Sequence, residues 1–280
     1  MTALIFGGSG QVGAHLVAQS GGVAVTRAEC DLSTATEAQI GAILDHHKPT
    51  HIVNAAAHTR VDDAESERDL AEALNATAPR HIAAAAAARG IPCIHLSTDY
   101  VFDGKSGAPY RETHPTNPIN HYGASKLRGE EAALAHGATV LRIQWVFDIR
   151  GHNLFPAIRQ LLAERERIRM VADQWGAPSY AGHLATAILA ARAVPPGLYH
   201  LAPPGFTSRH GFACALAGLM GSKCHIAPIT SPEFPRPAQR PLDTRLDTAK
   251  LTALGIAMPH WQAGLKEAFA CASSTPTSRK

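Results

Sequence analysis

Tyr122 and Lys126 stand four residues apart in the run Tyr122-Gly123-Ala124-Ser125-Lys126, so on a helix they share one face. That pairing suits a particular chemistry. Hydride delivery to a ketone leaves an alkoxide that must take a proton, and free tyrosine, with a pKa of about 10, gives its proton up reluctantly. Lowering that pKa by about three units takes roughly 4 kcal/mol, which an ammonium about 4–5 Å away supplies at an effective dielectric of about 20. None of the other tyrosines (Tyr100, Tyr110, Tyr180, Tyr199) has a lysine four residues on. Upstream, Leu96-Ser97-Thr98-Asp99-Tyr100 offers a hydroxyl, Thr98, to bond both a substrate carbonyl and Tyr122. The bland reading makes Tyr122 a half-buried helix residue and Lys126 its solvated neighbour. The position of the two segments favours the alternative, with Thr98, Tyr122 and Lys126 as catalytic residues.

A second group of residues is suited to phosphate. Gly7-Gly8-Ser9-Gly10-Gln11-Val12-Gly13 lies between an apolar run and a helical stretch, with glycines where a Cβ would keep the backbone from a pyrophosphate. The helix N-terminus adds free N–H groups and a partial positive charge. Gly7, Gly10, Gln11, Val12 and Gly13 are therefore candidate dinucleotide contacts. At the end of the next apolar run, Arg27 suits the 2′-phosphate of NADPH, or is a solvated surface charge; Asp31 and Leu32 suit the adenine side, or form a turn. Ala57, His58 and Thr59 follow a third run and suit the cofactor wall, where bulk would block the ligand, and Leu96 does the same for the fourth.

These residues need a scaffold that delivers strand ends to one edge. Apolar runs at 3–6, 23–26, 51–54, 93–97 and 139–143 alternate with helical stretches at 11–19, 36–46, 68–89 and 121–136. This is the pattern of an α/β, Rossmann-type doubly wound parallel sheet. Pro79 should bend or restart the third helix. After Trp145 prolines crowd the chain, and short helices at 153–165, 181–193 and 208–219 read as a smaller C-terminal substrate-binding lobe. We divide the chain into a dinucleotide-binding domain at 1–147, a lobe at 148–272 with some segments returning to the first domain, and a frayed tail at 273–280.

Composition excludes several classes. The chain has 280 residues, 45% hydrophobic and 18% charged, an ordinary globular balance. A net charge of +3 with dispersed Lys and Arg does not point to nucleic acid. No apolar run is long enough for a bilayer, so a cytoplasmic protein without a membrane partner is expected. Five scattered cysteines form no Cys-x-x-Cys pair, so neither zinc nor disulfides are expected.

The motifs together resemble the extended short-chain dehydrogenase/reductase family, and within it the dTDP-4-dehydrorhamnose reductase family. The resemblance rests on Gly10-Gln11-Val12-Gly13, Val53-Asn54-Ala55-Ala56-Ala57-His58-Thr59, Val61-Asp62-Asp63-Ala64-Glu65 and Ser97-Thr98-Asp99-Tyr100-Val101-Phe102-Asp103-Gly104. It continues in Tyr122 to Glu130, Arg142-Ile143-Gln144-Trp145, Asp173-Gln174-Trp175-Gly176-Ala177-Pro178 and Arg240-Pro241-Leu242-Asp243-Thr244-Arg245. It implies that Thr98, Tyr122 and Lys126 are catalytic and that Asp99 and Trp145 touch a sugar nucleotide. The implied reaction is the NADPH-dependent reduction, with NADH as the alternative, of dTDP-4-dehydro-6-deoxy-L-mannose to dTDP-L-rhamnose. Asn153 and Arg240 join the expected substrate contacts, and a homodimer is an expected assembly. Two other functions stay open: reduction of another nucleotide-linked 4-keto-deoxysugar, and a non-catalytic regulatory subunit. Ser179 and Asp243 depart from the threonine and asparagine common in the family, and His15 replaces a carboxylate that can serve a metal there, so no metal site is expected.

Overall fold

A computed structural model describes residues 2–274. The first half alternates β1 (Ala3–Phe6), α1 (Gln11–Ser20), β2 (Val23–Val25), α2 (Glu37–His47) and β3 (His51–Asn54). It continues with α3 (Arg68–Glu72), α4 (Ala78–Ala87), β4 (Cys93–Thr98), α5 (His121–Ala135) and β5 (Thr139–Ile143). The strands β1, β3 and β4 are buried along their whole length because both faces are covered, and the polar Asn54 and His95 within them bond each other at 3.1 Å. Ala3 and Ile5 join Leu16 of α1 in one core, while Leu4 and Phe6 join Ile40 and Leu44 of α2 in the other.

Among the described residues the main sheet has six strands, ordered β2, β1, β3, β4, β5 and then β10 (Gly197–His200), every pair parallel. The chain leaves β1 toward β2 on one side and resumes at β3 on the other, which opens a crevice at the carboxyl ends of β1 and β3. The strand β10 and the helix before it, α7 (Ala181–Ala190), return from the second half to this sheet, α7 packing on α1. Between α3 and α4 the backbone makes a π turn at Ala73–Thr77, directly before Pro79. The stretch expected as one helix at 68–89 is therefore three segments. The π turn carries Asn75 inward and brings its carbonyl against Gly129 of α5, where a Cβ would sit 1.9 Å from that oxygen.

The second lobe holds more strand than its prolines suggested. Short pieces β6 (Val146–Phe147), β7 (Arg167–Val171), β8 (Trp175–Gly176), β9 (Ser179–Tyr180), β11 (Thr207–Ser208) and β12 (His225–Ile229) pair in three two-stranded sheets. They frame a core of α6 (Leu154–Glu164), α8 (Arg209–Met220) and α10 (Trp261–Ser274), centred on Phe147, Phe155 and Phe212. A short α9 (Ala249–Thr252) precedes α10. Ser273 and Ser274, expected in a frayed tail, close α10, their hydroxyls bonding carbonyls one turn back; the rest of that tail lies outside the described residues. No described helix is long and apolar enough to cross a membrane.

Candidate active site

The glycine turn leads from β1 into α1 and is tightly built. Gly7 has φ +78°, and a Cβ on it would lie 2.6 Å from the Ala56 nitrogen; one on Gly13 would lie 2.0 Å from the Gly7 oxygen. Gly10 caps α1 without a side-chain acceptor, so the N-terminal N–H groups of a ten-residue helix stay free. Gln11 opens that helix with a buried Oε1 that lacks a partner among the described residues, and Val12 is buried behind it. Open donors and a cradle that a Cβ would fill fit a dinucleotide pyrophosphate.

Along the crevice wall, Ala57 is half-buried, Thr59 is exposed and His58 is buried. Asn75 fixes the His58 backbone by accepting from its N–H at 2.8 Å and donating to its oxygen at 3.1 Å. The His58 ring meets Glu67 through Nε2 at 2.7 Å. At the end of β2, Arg27 and Asp31, expected to act separately, form one exposed ion pair: Nε and Nη2 of Arg27 both donate to Asp31 Oδ2 at 3.1 Å. The other Asp31 oxygen takes the Ser33 hydroxyl and N–H, and the Ser33 hydroxyl bond is the largest cause holding this carboxyl below its ordinary range. Leu32 is half-buried beside them. Because Asp31 shares its charge, Arg27→Ala should weaken NADPH only by roughly tenfold, about 1.5 kcal/mol, and leave NADH unchanged. Titration of both cofactors against the variant checks this, and equal losses would make Arg27 a solvated charge.

The chemical end lies where β4 meets α5. Asn120 caps α5 by accepting the Gly123 N–H at 2.8 Å and reaches the second lobe by donating to Gln239 O at 2.8 Å. Lys126 is buried and donates to the Leu96 carbonyl at 2.6 Å. Burial brings its pKa down to about 8 against the opposing charge of Glu130. Tyr122 is half-buried, and desolvation drives its phenol above the ordinary value while the Thr98 hydroxyl opposes the rise. Lys126, one turn on along the same helix, turns its ammonium to the Leu96 carbonyl of β4. Sharing a helix face does not fix how far apart the head groups end, and here the ammonium is drawn to a strand carbonyl.

Thr98 Oγ1 donates to Asp99 Oδ1 at 3.1 Å and accepts the Tyr100 N–H at 3.2 Å. Asp99 is itself 2% exposed. Its other bonds come from Thr244 Oγ1 of the second lobe at 2.5 Å and from Gln144 Nε2, just past β5, at 3.3 Å. Desolvation lifts the Asp99 pKa to about 6, with these bonds and the Arg209 charge pulling the other way. Trp145, next to Gln144, has φ +41°, a conformation that costs a bulky residue about 1–3 kcal/mol and gathers at functional sites.

The remaining expected contacts divide. Arg240 donates to Asp62 Oδ1 at 2.9 Å and Ala238 O at 2.7 Å, joining the lobe to the loop after β3. Burial alone would raise Asp62, but Arg240, Arg236 and the Ala238 N–H bring it down to about 2. Asn153 caps α6, accepting from Phe155 N at 3.1 Å and Asp148 N at 3.2 Å and donating to Arg150 O at 2.8 Å. His15 lies 3.2 Å from Asp148, and no cluster of three metal-ligating side chains occurs among the described residues. Arg209, Glu130, Asn75 and Thr244 were not singled out from sequence. Thr244 and Glu130 lie inside the runs at 240–245 and 122–130 that carry the family resemblance, whereas Arg209, at the start of α8, carries no local signal.

The profile of the RmlD substrate binding domain family matches residues 1–273. A dTDP-4-dehydrorhamnose reductase of Burkholderia thailandensis is 41% identical over 94% of this chain and 96% of its own. One from Mycobacterium tuberculosis is 37% identical over 99% and 95%. Among solved structures, a dTDP-4-dehydrorhamnose reductase of Bacillus anthracis in complex with NADP superposes with a TM-score of 0.91 at 32% identity, over 96% of this chain and 99% of that one. With nearly its whole length matched, this chain belongs to the RmlD substrate binding domain family.

Proposed function

We propose that this chain reduces the 4-keto group of a dTDP-4-keto-6-deoxyhexose, dTDP-4-dehydro-6-deoxy-L-mannose in the first instance, giving dTDP-L-rhamnose. The observation that carries this reading is the bond between the Thr98 hydroxyl and the Tyr122 phenol at the end of β4, with buried Lys126 one turn on along α5 donating to the Leu96 carbonyl of the same strand. Its relatives named as dTDP-4-dehydrorhamnose reductases support the substrate, and the NADP complex of one supports NADPH, with NADH as the alternative. The Gly7 to Gly13 turn, Arg27 with Asp31, Leu32, the Ala57 to Thr59 wall and Leu96 would hold the dinucleotide, which supplies hydride when bound.

The residues of the chain then have separate tasks. Thr98 holds the substrate carbonyl oxygen, and Tyr122 gives its proton to the alkoxide that the hydride creates. Burial holds the Tyr122 phenol above its ordinary range, and Lys126, on the same face of α5 and itself brought down to about 8 by burial, carries the positive charge that would favour the developing phenolate. Asp99, Trp145 and Arg240 line the sugar-nucleotide side.

NADPH absorbance followed with a dTDP-4-keto-6-deoxyhexose and with its free sugar tests the assignment. Oxidation is expected with the nucleotide sugar alone, because remote binding energy positions a small carbonyl. Equal rates on the free sugar would refute it, a product of another C4 configuration would identify a different deoxysugar reductase, and no turnover would leave the regulatory subunit.

A further inference from the structure

The indole of Trp145 is held by two neighbours from the second lobe. The Arg209 guanidinium carbon lies 3.8 Å from a ring centroid. A Cβ built on Gly176 would stand 2.6 Å from Cε2 and 2.9 Å from Nε1 of the same ring, so glycine there is a clearance. The backbone behind the ring is pinned as well. Ser179 N donates to Trp145 O at 3.1 Å, and Ala177 N donates to the preceding Gln144 side chain at 2.9 Å. With both neighbouring peptides fixed, an added methyl at 176 can be relieved only by turning the indole. Arg209 also faces Asp99, the Tyr100 hydroxyl and the like charge of Arg240, which places the stacked pair at the substrate side of the site.

We propose that Gly176 and Arg209 are positioning residues that clamp Trp145 as a fixed wall of the sugar-nucleotide site, Gly176 setting the clearance and Arg209 the stacking. This rests on the reading that Trp145 bounds the substrate. A planar guanidinium stacks on an indole as an ammonium does not, so lysine is a poor replacement at 209 although it keeps the charge.

The test is a double-mutant cycle on the full chain. Gly176→Ala should raise the KM for the nucleotide sugar by roughly tenfold to a hundredfold, the scale of a misplacement of about 1 Å, and leave the NADPH Kd within about twofold. In a Trp145→Ala background the same change should alter neither KM nor Tm. Arg209→Lys should raise KM in the same direction. Harm from Gly176→Ala that persists without the indole would overturn the clamp, as would a lowered Tm with an unchanged KM. An unchanged KM in Arg209→Lys would remove Arg209 from it. If Gly176→Ala alone does not fold, recovery of folding in the double variant reads out the same coupling. Because Tm needs no substrate, the clearance can be judged even if the protein turns out not to reduce nucleotide sugars.

Discussion

Tyr122→Phe is expected to slow turnover by roughly 10²–10⁴-fold while NADPH affinity stays within about twofold, the signature of losing a general acid. The ring stays in place, so its edge contact with Tyr100, centroids 5.7 Å apart, should survive. Only the proton is removed. Lys126→Ala is the informative companion, since its ammonium suits both the cofactor ribose and the reacting oxygen, and it should therefore lose affinity and turnover together. Single-turnover measurements with saturating cofactor separate the two. Near-normal turnover in Tyr122→Phe would mean that another group protonates the product, with Asp99, at a pKa of about 6, the first to examine.

A comparably large effect is expected on stability from a pair that never meets substrate. Glu130, one turn beyond Lys126 on α5, is 2% exposed in its side chain and pairs with Arg142 of β5, itself 3% exposed. Arg142 Nε donates to Glu130 Oε2 at 2.9 Å, and the Ser97 hydroxyl donates to the same oxygen at 2.7 Å. Glu130→Ala leaves a buried guanidinium without its anion, which should cost about 3–5 kcal/mol, or roughly 6–20 °C in Tm for a chain of this size. Replacing both partners with leucine should recover most of that, because the penalty comes from the unpaired charge. Thermal unfolding of the two variants decides the matter. A loss under about 1 kcal/mol in Glu130→Ala would show that water reaches the pair.

What could be read from the sequence was local. The buried runs around Ile5, Val53 and Ile94 locate the central strands because both faces of a parallel sheet are covered, and the Tyr122/Lys126 spacing needs only one helix. The strands of the second lobe escaped notice because they are two to five residues long, too short for a period to develop. Contacts across large sequence separations were also hidden. Gln144 and Thr244 bind Asp99 from 45 and 145 residues away. Arg209 reaches Trp145 only because α8 begins beside β8, through the β8·β11 pair. The Arg27–Asp31 pair is near in sequence, but pattern alone does not say that the two charges will pair, as they do in the structure.

The placement of β10 also bears on how the chain comes off the ribosome. A nascent chain that had emerged only as far as residue 147 would hold β5 as a bare edge and α1 without the α7 surface that covers it. Such an intermediate offers unpaired backbone and apolar surface to other chains. The cofactor half therefore completes itself only after about fifty more residues have been synthesised, so the two halves mature together rather than in succession, and a chain cut between them would leave neither a finished sheet nor a finished site.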